Sequence, residues 1–304
     1  MNWFTIAIIA PFLFAMINHV DKYLLSKFSH EGGVGSIAIF SSLFSFFALP
    51  VIYLFNIPVF GIQLQNAVIL IIGGLISGLA VLLYLLALDE GEATNVVPLL
   101  QTIPIFGFIL GLVFLNEKLS IQHIFAALLI VFGATILTIE KDESGSFTFK
   151  KKIMILMLTS SFLYATYDTI FKYIALNETF WVSTFWQTTG YFLFGLLLFL
   201  INKRFRNEFK RLISRKSGTL FSLNIFIELA NLGGNLATGF ASLLAPIALV
   251  MTVSGYQPVF VFIMGVIMAI FFPHISNEDI QKHALLRKVF SIAIILTGTY
   301  LILN

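Results

Sequence analysis

The chain has 304 residues, of which 59% are hydrophobic and 11% charged, and a mean hydropathy of +0.97; a soluble domain carries roughly 25% charged residues. This excludes a water-soluble globule, because a single core stops growing at roughly 250 to 300 residues and leaves nowhere to hide so much apolar surface. A net charge of +3, with basic residues dispersed among apolar runs, argues against nucleic acid, and the absence of cysteine excludes disulfides, thiolate metal sites and a cysteine nucleophile.

A helix needs about 20 mainly apolar residues to cross a hydrocarbon layer of about 30 Å. On that basis the chain divides into ten expected spans near 3–28, 34–55, 66–88, 93–115, 120–139, 152–176, 180–201, 217–241, 244–272 and 286–303. The apolar runs are continuous, unlike the alternating strands of about 10 residues that build a membrane barrel. The fold class expected is therefore all-α integral membrane. The first span opens on MNWFTIAIIAPFLFAM with no basic stretch before it and no small-residue cleavage site, and reads as a span despite Asp21, Lys22 and Lys27 near its end.

With ten spans the connections alternate between two faces, and sixteen of the 18 basic residues fall on one of them; Lys118 lies on the other and Lys172 within a span. The positive-inside rule then places the basic face in the cytoplasm and both chain ends outside the cell membrane.

An internal repeat is visible. A shift of 154 residues matches Ala87 with Ala241, Val96 with Val250, Pro104 with Pro258, Phe106 with Phe260, Phe108 with Phe262, Ile109 with Ile263 and Gly111 with Gly265; a shift of 147 pairs Asp21 with Asp168. The two halves, 1–145 and 146–304, read as copies of a five-helix unit. An odd number of spans per unit inserts the copies in opposite orientation, an arrangement common in transporters.

The stretches ALDEGEATNVVPLLQTIPIFGFILGLVFLNEKLSIQHIFAALLIVFGATIL and ASLLAPIALVMTVSGYQPVFVFIMGVIMAIF resemble the EamA-type branch of the drug/metabolite transporter superfamily. Members are two five-helix repeats with a Pro in the fourth helix of each and a Glu-Lys-Leu-like turn before the fifth. The second half departs from that pattern, since PHISNEDIQKHALLRK is about ten residues longer than NEKLSIQH and lacks its Glu-Lys pair. The resemblance implies a central cavity between the repeats, with helices 5 and 10 at the periphery, and a solute among amino acids, nucleotide precursors, amines and drugs.

The clearest site signal is in span 8, where Asn224, Glu228, Asn231, Asn235, Thr238 and Ser242 recur every three or four residues and make one helical face polar. An intramembrane carboxylate costs about 2.5–3.5 kcal/mol on insertion scales, so this face should line water or solute; the alternative is that it glues helices together. Span 6 supplies a second polar edge of Ser160, Tyr164, Tyr167, Asp168 and Lys172. Asp168 and Lys172 have the spacing and order of a favourable i,i+4 pair, readable as structural or as a pair that solute or proton opens; Lys172 can instead snorkel to the interface, leaving Asp168 to another partner.

Trp186, Tyr191 and Tyr256 add aromatic faces suited to an organic cation, although Trp and Tyr equally populate interfacial belts. Gln187 and Ser183 form a short polar edge on span 7. Pro98, Pro104, Pro246 and Pro258 should loosen the backbone beside Gln101, Thr102, Tyr256 and Gln257, kinking spans 4 and 9 where the repeats meet, with freed carbonyls facing a solvated cavity or held in a static kink. Gly74, Gly78, Gly107 and Gly111 are read as close-packing positions; Asn18 and His19 of span 1 are readable as cavity-facing, with packing the commoner role of a lone His in an apolar run. The basic stretch NKRFRNEFKRLISRKSG is read as a loop that orients the protein and is suited to anionic lipid.

No HExxH, GxSxG or Walker loop is present, so the expectation is not an enzyme and no cofactor or metal. The expected partners are a small-molecule solute, membrane lipid and a possible second copy of the chain. The leading expectation is a secondary transporter working by alternating access, with a membrane scaffold or sensor and a lipid-linked solute flippase as rivals. The solute-binding residues expected are Asp168, Glu228, Asn231, Asn235, Lys172, Tyr164, Tyr167, Trp186, Gln187, Tyr256 and Gln101.

Overall fold

The computed structural model describes residues 2–28, 33–54, 57–90, 97–138, 151–214, 218–271 and 282–303. Every described element is helical: α1 (Trp3–Ala7), α2 (Ile9–Phe28), α3 (Val34–Phe44), α4 (Ala48–Leu54), α5 (Leu64–Glu90), α6 (Ile103–Phe114), α7 (Ile121–Thr138), α8 (Lys151–Ala175), α9 (Phe180–Ile201), α10 (Lys203–Ser214), α11 (Gly218–Leu244), α12 (Ile247–Thr252), α13 (Gln257–Phe271) and α14 (Lys282–Leu303), with short 3-10 turns between some of them. Among the described residues six stretches are long and apolar enough to cross a membrane: Trp3–Val20, Val34–Leu54, Leu64–Glu90, Lys151–Ala175, Phe180–Ile201 and Ile247–Ile267. Shorter apolar helices accompany them at Leu99–Phe114, Ile121–Gly133 and Val289–Leu301. Large apolar side chains such as Leu54, Phe60, Leu64, Ile121 and Val113 stand exposed on the outside, a surface that lipid covers and water would not tolerate.

Proline sets the breaks. Pro50, Pro104 and Pro258 cannot donate an amide to the carbonyl four residues back, and in each case the preceding turn tightens into a 3-10 segment, Ser45–Phe47, Val97–Thr102 and Val253–Tyr256. In span 4 the Leu99 carbonyl accepts from the Thr102 hydroxyl at 2.7 Å and from the Ser161 hydroxyl at 3.2 Å, tying this turn to α8. Pro246 separates α11 from α12, splitting the stretch expected as one span from 244, and its own carbonyl accepts from the Leu249 and Val250 amides at 3.0 and 3.2 Å.

The helices pair closely. α5 lies against both α8 and α9, α6 against α8 and α12, α2 against α11 and α13, α3 against α9, and α7 against α14. The glycines of span 3 act as read from the sequence: Gly74 sits on the backbone of Gln187 and Gly190, and Gly78 on Phe194. α7 and α14 meet at Gly133 and Gly298, each covered by the other helix, while Phe125, Leu128, Val289, Phe290 and Tyr300 face outward. His19 is a satisfied packing residue, its ring nitrogen donating to the Val261 carbonyl at 3.0 Å.

The stretch expected as a basic loop after span 7 is in fact helix α10, which folds back on the bundle. Phe205 fills the space over Gly35, and the buried carboxylate of Glu208 accepts from the Gly35 amide in the first turn of α3 at 3.2 Å and from Arg204 at 3.0 Å. A carboxylate on the first-turn amides of a helix is favourably placed for the helix dipole. Removing it strands the Gly35 amide, so Glu208→Ala should lower stability by about 1.5–3 kcal/mol, measurable as a drop in the thermal unfolding midpoint of the detergent-purified protein.

Candidate functional site

The polar stripe of α11 points inward. Phe226, Leu229, Phe240 and Leu244 form its exposed apolar face, and at 100° per residue Glu228, Asn231 and Asn235 lie roughly opposite. Glu228 is buried, Asn231 partly buried and Asn235 exposed. Exposure on the side turned away from the apolar face means that Asn235 borders open space within the bundle.

α8 repeats the pattern. Ile155, Phe162 and Tyr173 are its exposed apolar face, whereas Tyr164, Tyr167 and Asp168 lie roughly opposite. All three are surrounded by protein yet retain accessible surface. Tyr164 and Tyr167 lie within electrostatic range of the Asp168 carboxyl. Among the described residues Asp168 has no ion pair and no hydrogen bond.

Tyr191 of α9 joins these two edges. Its hydroxyl stands beside Ser42 and Ser41 of α3 and lies within range of Glu228 on one side and of Tyr164 and Tyr167 on the other. Ser41 also donates to the Glu228 carboxylate. Tyr84 of α5 completes the cluster beside Tyr164. Helices α3, α5, α8, α9 and α11 thus bring two acids and four phenols into one cluster, and carboxylates beside aromatic faces have the chemistry to hold an organic cation.

Sequence reasoning missed Ser41, Ser42 and Tyr84 at this site and noted Tyr191 only as one aromatic among several. Tyr191 lies one turn beyond Gln187 and just after the helix-crossing Gly190, a usable signal; lone serines in an apolar span offer none.

Of the remaining expected residues, only Gln187 contacts a member of this cluster; the others make contacts elsewhere. Gln187 is buried and its amide donates to the Tyr167 carbonyl at 3.0 Å, bracing α9 against α8. Trp186 donates to the Val59 carbonyl at 2.7 Å and packs on Phe60 and Phe185, beside the 57–61 segment. Gln101 is buried, with a side-chain oxygen lacking a hydrogen-bond partner among the described residues. Tyr256 bonds Thr299 of α14 and packs edge-on to Phe4 and tilted against Phe260 in an apolar cluster. Ser160 and Ser242 serve packing, donating to the carbonyls of Ala80 and Gly239.

Lys172 requires a correction. It does not pair with Asp168; its ammonium lies 2.5 Å from the Glu117 carboxylate and donates to the Ala245 carbonyl at 2.6 Å. Glu117 in turn accepts from the Ile247 amide at 2.8 Å. The pair therefore stitches the NEKL turn to the break between α11 and α12, taking the last carbonyl before Pro246 and the first amide after it. The i,i+4 spacing permits the local pair, but a partner that also satisfies stranded backbone groups wins. Asn116, at φ 53°, supplies the left-handed residue that turns the chain so that Glu117 faces inward.

Residues 1–139 match the EamA-like transporter family. No curated protein sequence matches the chain. A solved crystal structure of a protein superposes on it with a TM-score of 0.71 at 14% identity, covering 98% of this chain and 95% of that one, so the fold is shared from end to end. With the apolar helices and this match together, the chain is a multi-pass membrane protein whose residues 1–139 carry the sequence of the EamA-like transporter family, consistent with the drug/metabolite transporter superfamily.

Proposed function

We propose that the protein is a secondary transporter carrying a small organic solute with a cationic group, an amine or amino acid, whose ammonium docks between Asp168 and Glu228. The observation that carries this reading is the convergence of those two acids around Tyr191 on inward faces that keep accessible surface. A carboxylate with neither ion pair nor hydrogen bond among the described residues is costly in a membrane interior unless water, a proton or a cation reaches it. Tyr164, Tyr167 and Tyr191 supply aromatic faces to the cation, and Asn231 and Asn235 orient the rest of the solute. Gln187, Trp186, Gln101, Tyr256 and Lys172 act from the surrounding frame. The same two acids carry the proton when transport is proton-coupled.

Alternating access follows from two five-helix units, 1–145 and 146–304, inserted with opposite orientation as ten spans. The packing supports this: α5 on α8 corresponds to α11 on α2, α6 on α8 corresponds to α13 on α2, and the pairs α3 with α9 and α7 with α14 each map onto themselves. The 3-10 turns before Pro104 and Pro258 stand 154 residues apart in the same manner. Rocking of one unit against the other would expose the cluster to each side in turn. The basic face is cytoplasmic and the chain ends are outside, in the cell membrane.

The test is uptake into proteoliposomes of labelled amines, amino acids, sugars and nucleosides, with and without a pH gradient. Cationic and zwitterionic solutes should be carried and neutral sugars not. A charge-assisted hydrogen bond contributes about 1.5–3 kcal/mol, so Asp168→Asn and Glu228→Gln should each weaken apparent affinity roughly ten- to a hundredfold. Absence of flux and binding across the panel, or unchanged kinetics in both variants, would remove the proposal.

A further inference from the structure

We propose that the outer face of α10 binds the headgroup of an anionic lipid in the adjacent leaflet. The helix begins immediately after α9 ends at Ile201, with Asn202 in an extended conformation making the corner. Arg206 donates to the Leu200 carbonyl at 3.1 Å, closing the end of α9. Phe205 over Gly35, Phe209 edge-on to Phe199, and Glu208 on the Gly35 amide lock the inner face of α10 against α3 and α9.

The outer face is left with a shallow cleft of about 710 Å³ lined by Lys203, Arg204, Asn207, Lys210 and Arg211. Four of these five residues are cationic. Glu208, the acid on the same helix, is buried on the Gly35 amide and pairs with Arg204 alone, which leaves Lys203, Lys210 and Arg211 as the cleft's uncompensated cations. Guanidinium and ammonium groups at i, i+1, i+7 and i+8 present several donors to one phosphodiester.

A lipid fits better than a free anion because apolar surface adjoins the charge. Leu200 and Ile201 at the end of α9, and Ile213 near the end of α10, are all exposed. An amphipathic helix with cations on one face and exposed aliphatic residues at its margins lies at the headgroup level, where acyl chains cover the aliphatics and phosphates meet the cations. This site is separate from the cluster around Tyr191 and does not depend on any transported solute.

The test is native mass spectrometry of the detergent-purified protein with added dioleoylphosphatidylglycerol, dioleoylphosphatidylcholine or inorganic phosphate. The wild type should retain phosphatidylglycerol in preference to phosphatidylcholine. The variant Lys203→Gln, Lys210→Gln, Arg211→Gln spares the Arg204–Glu208 pair and should lower that preference at least about tenfold, with Lys210→Gln alone lowering it about fivefold. Lys151→Gln with Lys152→Gln, which neutralises exposed cations elsewhere, should leave it unchanged. Equal retention of the two lipids by the wild type, an unaltered preference in both α10 variants, or displacement of phosphatidylglycerol by inorganic phosphate at equal concentration would overturn the assignment.

Discussion

Lys172→Met should destabilise the protein by about 3–5 kcal/mol, the range seen when one partner of a buried ion pair is removed. Both side chains are largely inaccessible, and the Glu117 carboxylate is placed for two jobs, countering Lys172 and accepting from the Ile247 amide. Methionine fills the volume of the lysine stem but leaves the carboxylate charged and the Ala245 carbonyl without its donor. Glu117→Gln should cost less than Lys172→Met, because the amide oxygen still accepts from Ile247 while Lys172 still donates to Ala245. The double variant should be more stable than Lys172→Met alone, since no uncompensated charge remains. Thermal unfolding of the four proteins in one detergent measures the coupling directly. A loss below about 1 kcal/mol in Lys172→Met, with additive effects in the double variant, would show that the pair holds nothing.

A comparable loss, more than about 3 kcal/mol, is expected for Gly190→Val. A side chain at Gly190 would fall on the carbonyl of Ile71, and one at Gly74 would fall on the carbonyl of Gln187, so α5 and α9 meet backbone to backbone. Overpacking ordinarily costs about 1–3 kcal/mol because neighbouring side chains shift. Here the obstacle is main chain, and only separation of the helices relieves it. Separation would also carry Tyr191, the next residue, away from Tyr164 and Tyr167, so solute uptake should fall together with stability. Gly218→Ala is the control: nothing stands within 4 Å of the added carbon, and the change should stay within about 0.5 kcal/mol. A Gly190→Val protein that unfolds at the wild-type temperature would refute the close crossing.

Much of the fold was legible in the order of residues. Continuous apolar runs set the helices, and the prolines at 50, 104 and 258 each lie just beyond a tightened turn. The inward direction of the α8 and α11 stripes was also readable, because a polar face on a helix otherwise clothed in apolar residues cannot turn to lipid. The stretch Lys203–Ser214 shows the limit of that reasoning. Its charge density suggested a loop, yet its apolar residues fall on one helical side and find α3 and α9 to pack against.

Composition, periodicity and spacing were enough to establish a helical membrane protein with acids at depth, because lipid solvation and helix geometry act within each segment. Which groups meet was decided by packing across segments. Lys172 left its nearest acid, Asp168, for Glu117 because only there could the pair also satisfy the backbone stranded on both sides of Pro246. Asp168 and Glu228 belong to one polar cluster because Tyr191 and Ser41, on two other helices, link the groups around them. Neither relation is encoded in local spacing, since each depends on where helices distant in the chain cross.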